Sequence, residues 1–153
     1  MTAYYIESSA LVKRYAQEKG TVFLIGLLRP SAKNFLYSAK ITEVEVCAAL
    51  SRRRKGKTLT ADYVTKAIAR WRRVFDRNIF QVKLTDAIFR EAVRLADVHA
   101  LRGYDSVQLA CALLTNQDRL SRNLPALVFV SADDDLNKVA QAENPTIENP
   151  NDY

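Results

Sequence analysis

Hydrophobic and polar positions divide the chain into short apolar runs and longer amphipathic stretches that alternate. Thr2 to Ile6 is aromatic and β-branched and ends at Glu7, which predicts a strand. Ser8 and Ser9 follow as candidate N-caps for a helix over Ala10 to Gln17, which Gly20 breaks. Thr21 to Leu28 is a short apolar helix closed by Pro30, and Asn34 to Ser38 a brief strand. Ile41 to Lys55 is helical, with Gly56 as its stop, and Thr60 starts a second long helix to about Phe75. Ile79 to Leu84 has the pattern of a strand, and Thr85-Asp86 caps a helix to His99. Beyond Gly103, a helix spans Asp105 to Thr115. Leu127 to Val130 fits a buried strand, a last helix follows Asp133-Asp134-Asp135 to about Ala142, and Thr146-Ile147 adds an edge strand. Strands of four to six residues alternating with helices argue for a parallel sheet covered on both faces.

Composition supports one domain, over residues 1–150, with a short polar tail at 151–153. Hydrophobic residues are 48% of the 153 and charged residues 26%, enough for a core and against disorder. Cys47 and Cys111 lie far apart inside apolar segments, so neither a disulfide framework nor a CxxC motif is present. With His99 the only histidine, ligand type argues against a zinc site. No apolar run reaches the roughly 18 residues needed to span a bilayer. The first residues lack a signal-peptide pattern, so the expected location is the cytoplasm.

Charge changes the picture further. The chain carries 23 basic and 17 acidic residues, and the excess is concentrated. From Arg52 to Arg77 there are ten basic residues, opposed only by Asp62 and Asp76. Clustered arginines beside Trp71 and Phe75 suit a phosphate backbone; they equally suit the solvated faces of two helices.

Acids fall where a parallel sheet binds ligands, beyond the carboxyl ends of its strands. Glu7 follows the first strand and Asp133 follows the Leu127 strand. Glu43 and Glu45 interrupt an almost wholly apolar helix, and periodicity leaves open which faces inward. Asp105 opens a helix and shares a face with Gln108, Leu109 and Ala112, whereas Asp97 has the position of an exposed helix-end residue. Each acid also has a structural reading, Asp105 as a helix-dipole residue and one of Asp133, Asp134 or Asp135 as a cap. Taken together, buried carboxylates repel one another and stay ionised only with a cation. Oxygen-only ligation points to Mg²⁺ or Mn²⁺.

The segments AYYIESSALVKRY, ITEVEVCAALSR, LRGYDSVQLACAL and LVFVSADDDL, in this order, resemble the PIN domain, especially VapC-type toxins of bacterial toxin–antitoxin pairs. The resemblance runs from about Ala3 to Pro150. It implies a three-layer α/β/α sandwich around a short, mostly parallel sheet, and a Mg²⁺- or Mn²⁺-dependent endoribonuclease. It places the family's helix glutamate on Glu45, its helix-start aspartate on Asp105 and its late acid on Asp133. The family's first acid is an aspartate, and here that position is Glu7. These four would form a carboxylate cup for metal and catalysis, with Arg52, Arg53, Arg54, Arg72 and Arg73 on the RNA backbone. An antitoxin partner and a homodimer are also implied. The alternative, which Glu7 supports, is an inactive PIN-like module that binds RNA or an antitoxin without cleaving.

Overall fold

The computed structural model describes residues 1–153. Its strands are β1 (Ala3–Ile6), β2 (Phe35–Ala39), β3 (Phe80–Val82), β4 (Val128–Val130) and β5 (Thr146–Glu148). Between them lie the helices α1 (Ser8–Ala16), α2 (Thr21–Leu28), α3 (Thr42–Lys55), α4 (Ala61–Asn78), α5 (Asp86–His99), α6 (Gly103–Ser121) and α7 (Asp134–Ala142). The strands form one sheet in the order β3-β2-β1-β4-β5, every neighbouring pair parallel.

Parallel pairing requires helical crossovers, and these cover both faces. Alternation along β1 feeds two cores. Tyr4 and Ile6 pack with Leu11, Val46, Leu50, Trp71 and Phe75, from α1, α3 and α4. Ala3 and Tyr5 pack with Leu95, Leu109, Phe129 and Leu136, under α5, α6 and α7. The result is the expected α/β/α sandwich, its sheet parallel throughout. On α4 the buried residues Val64, Ala67, Trp71 and Phe75 recur at helical spacing. The Trp71 indole N–H, inside the core, donates to the Glu43 carbonyl at 3.2 Å, so its burial leaves no orphaned donor.

Element boundaries move where polar side chains have work that a hydrophobic pattern does not register. Helix α6 runs on to Ser121 through a polar stretch. There Asn116 Oδ1 accepts the Leu127 amide at 3.0 Å, and buried Arg119 donates to the Pro125 carbonyl at 3.0 Å and the Tyr37 hydroxyl at 3.1 Å. At the C-terminal end a 3-10 turn, Pro150–Asp152, leads to Tyr153, whose ring stacks on Phe23 with centroids 4.2 Å apart. Gly20 permits this closure. It has φ +87°, and a Cβ there would lie 2.5 Å from the Pro150 carbonyl oxygen. No helix is long and apolar enough to cross a membrane.

Strand order reverses at β1: β2 and β3 extend to one side, β4 and β5 to the other. Such a reversal opens a crevice above the carboxyl ends of β1 and β4.

Candidate active site

Glu7 leaves β1 directly into that crevice and is buried, only 3% exposed. It is the N-cap of α1: its carboxylate accepts the Ser9 amide at 2.9 Å and the hydroxyls of Ser8 and Ser9. The Ser131 hydroxyl lies 3.4 Å from the same carboxylate. Ser9 Oγ accepts the Ala132 amide at 3.0 Å, and Ser131 Oγ accepts the Asp133 amide at 3.1 Å. Glu7 therefore joins the turn after β1 to the turn after β4. The serines expected as caps are instead donors to the cap, which is why α1 begins two residues earlier than the pattern predicts.

The two glutamates of α3 part company. Glu45 faces the crevice, with Oε1 accepting from Gln108 Nε2 at 2.7 Å and Oε2 lying 3.0 Å from Ser8 Oγ. Glu43 turns outward to Lys40 at 3.1 Å and Arg72 at 3.5 Å. Gln108, which sequence reasoning noted only as a neighbour of Asp105, is fully buried. Its Nε2 also donates to Thr42 Oγ1 at 2.8 Å, and its Oε1 accepts the Tyr5 hydroxyl at 2.7 Å. The Tyr5 oxygen accepts the Ala39 amide at 3.1 Å. One amide side chain thus ties β1, α3 and α6 together. The signal for it was a neutral polar residue on an apolar helix face, one turn after Asp105.

Asp105 stands half-buried in the first turn of α6. Asp133 caps α7 with one oxygen, Oδ1 accepting the amides of Asp135 and Leu136 at 3.0 Å, and its other oxygen makes no hydrogen bond. Its neighbours point elsewhere: Asp134 accepts from Asn149 at 2.9 Å, and exposed Asp135 faces Lys138.

Burial pushes the carboxyls of Glu7, Glu45 and Asp105 above their ordinary range. Each is raised further by the next in line: Glu7 by Glu45, Glu45 by Asp105, and Asp105 by Asp133. No ion pair engages any of the four; Arg102 acts on Asp105 only from a distance. Ser8 has one hydroxyl hydrogen and two facing carboxylates, so it cannot satisfy both. Negative charge of this kind calls for a cation, and an all-oxygen donor set favours a hard one. In donor type and charge the site fits a divalent metal. The acids stand as linked neighbours, no three of them gathered into a ready cage.

Beside the acids runs a groove of about 480 Å³, lined by Ser8, Val12, Val44, Glu45, Arg52 and Tyr104 among others. Arg52 has no carboxylate partner there. Arg53 is tied to Glu18 at 3.4 Å and Arg72 to Glu43, while Arg54 and Arg73 are exposed. His99 ends α5 against Glu143 at 2.7 Å and has no contact with the acids.

The family model described as PIN domain matches residues 4–142. Two Mycobacterium tuberculosis proteins, Ribonuclease VapC45 and Ribonuclease VapC49, are each 33% identical over 113 residues, 74% of this chain and 76% of theirs. Among solved structures, VapBC2 from Rickettsia felis bound to a promoter DNA fragment superposes with a TM-score of 0.59 at 13% identity, covering 97% of this chain and 98% of that one. A toxin–antitoxin complex from Klebsiella pneumoniae gives 0.55 at 16% identity, covering 96% and 97%. At these identities the structural likeness is one of fold.

Proposed function

The chain belongs to the PIN domain family, and from that premise we propose that it is a divalent-metal-dependent endoribonuclease, the toxin of a toxin–antitoxin pair. The observation that carries the reading is the row of carboxylates Glu7, Glu45, Asp105 and Asp133 at the switch point of the sheet, without a basic partner. The relatives named as ribonucleases supply the substrate class.

Glu7, Glu45, Asp105 and Asp133 are the residues that would hold the metal. Mg²⁺ or Mn²⁺ suits their oxygens. When bound, such an ion supplies charge neutralisation at the scissile phosphate and a more acidic water. The chain's own part is positional. Gln108 holds Glu45 from the α6 side, so its carboxylate is in place without first reorganising. The Ser8 and Ser9 hydroxyls are committed to Glu7 and are not free as nucleophiles, which leaves water to attack the phosphorus. Unpaired Arg52 meets the phosphate backbone, with Arg53, Arg54, Arg72 and Arg73 extending the basic surface beyond it. An antitoxin protein and a homodimer are the assemblies this reading expects.

One observation favours a second reading, a module that binds RNA or an antitoxin without cleaving it. The Glu7 carboxylate is turned back into the first turn of α1 and saturated by donors there. Incubating purified protein with mixed RNA, in Mg²⁺ or Mn²⁺ and in EDTA, tests both. The ribonuclease reading expects metal-dependent cleavage that Asp105→Asn abolishes. Silence in both metals with RNA still bound would support the second, and activity gained by Glu7→Asp would mean that the glutamate has switched off an otherwise intact site.

A further inference from the structure

Tyr104 is the residue of the groove that carboxylate chemistry leaves unused. It is 63% exposed, a large aromatic ring at the start of α6 beside Asp105. No hydrogen bond, aromatic pair or cation–π contact engages it. It shares the groove of about 480 Å³ with Glu45 and with Arg52, and much of the remaining wall is alkyl, from Val12, Val44, Ala48 and Ala49.

These three kinds of surface suit different parts of a nucleotide. A phosphodiester gains from an unpaired guanidinium but nothing from alkyl groups. A base gains from both the alkyl wall and an aromatic face, and stacking on such a face is worth about 5- to 150-fold in affinity per base. Bases are free to stack this way only where the strand is unpaired. Resting on the ribonuclease reading, we infer that Tyr104 and the alkyl wall form a subsite for one unpaired nucleobase of single-stranded RNA. It adjoins the carboxylates, and Arg52 takes a neighbouring phosphate. The base enters beside Tyr104, and its own backbone is thereby led past Glu45 and Asp105. The enzyme selects unpaired segments for this reason.

Fluorescence anisotropy in EDTA, where nothing is cut, tests the subsite with a labelled single-stranded oligonucleotide and a hairpin duplex. Tyr104→Ala should weaken single-strand binding about tenfold and leave duplex binding unchanged, while Tyr104→Phe stays within about twofold of the parent. Because the ring is exposed, the melting temperature should not move. With metal present, Tyr104→Ala should raise KM and leave kcat nearly unaltered. Parental single-strand affinity in Tyr104→Ala overturns the subsite and leaves a protein segment as the groove's occupant. Equal losses on single strand and duplex overturn it too. Absence of cleavage by the parental protein in either metal would refute the ribonuclease reading separately, since the anisotropy does not depend on cleavage.

Discussion

Replacing Gln108 by leucine isolates the one side chain that joins Glu45 to the sheet. The change keeps the volume roughly constant and removes three hydrogen bonds, at 2.7 Å to Glu45, 2.8 Å to Thr42 and 2.7 Å from Tyr5. Thr42 keeps the Ser38 hydroxyl at 2.9 Å, and Tyr5 still accepts from Ala39. The uncompensated losses are the buried Tyr5 hydroxyl hydrogen and the bond to a carboxylate. A buried unsatisfied donor costs about 1–3 kcal/mol and a hydrogen bond to a charged group about 1.5–3 kcal/mol. A total near 3 kcal/mol, discounted for the half-buried state of Glu45, corresponds to roughly 6–12 °C in melting temperature for a domain of this size. Urea unfolding in EDTA, followed by the fluorescence of buried Trp71, measures it. Adding Tyr5→Phe removes the orphaned hydroxyl but also the acceptor of the Ala39 amide, so the double variant should cost less than the sum of the two single penalties. A loss under about 1 kcal/mol, or strictly additive penalties, would refute the relay.

Stability in EDTA should fall as pH rises from the ordinary carboxylate range towards neutrality. Glu7, Glu45 and Asp105 are raised by burial, so the folded state holds protons that the unfolded chain has released. Glu143, lowered by Arg94, acts in the opposite sense but below that window. Saturating Mn²⁺ should flatten the slope, and a urea midpoint independent of pH in EDTA would contradict the assignment. Gly20→Ala should cost about 2 kcal/mol, or roughly 4–8 °C, through the positive φ and the clash with Pro150; an unchanged melting temperature would show that the C-terminal turn yields.

Much of the fold is legible in the sequence, because short apolar runs and long amphipathic ones carry different periods. Helix α2 has the predicted bounds, and α5 ends at His99 as expected. The α6 end was not legible, since Asn116 and Arg119 are polar residues whose partners, Leu127, Pro125 and Tyr37, come from elsewhere in the chain. The site shows the same division. Glu7, Glu45, Asp105 and Asp133 were each visible as acids at element ends or on an apolar helix. The choice of Glu45 over Glu43 came only with the family resemblance, because periodicity along the first turns of α3 left it open and packing against α1 and α6 is what orients it. The capping role of Glu7 was hidden for a related reason, as Ser8 and Ser9 are better caps by residue type. Gln108 was seen only as a neighbour of Asp105, because neutral amides carry no chemistry by themselves, and its value lies in three partners, Tyr5 from β1 and Thr42 and Glu45 from α3.

The most direct test of the central claim is a single Mn²⁺ titration of metal-free protein, with bound metal read by electron paramagnetic resonance and RNA cleavage followed in the same samples. Cleavage should rise in proportion to bound Mn²⁺ and saturate with it, and Asp105→Asn should lose both together. Cleavage that persists without bound metal, or metal that binds the parent fully while RNA stays intact, would contradict the account.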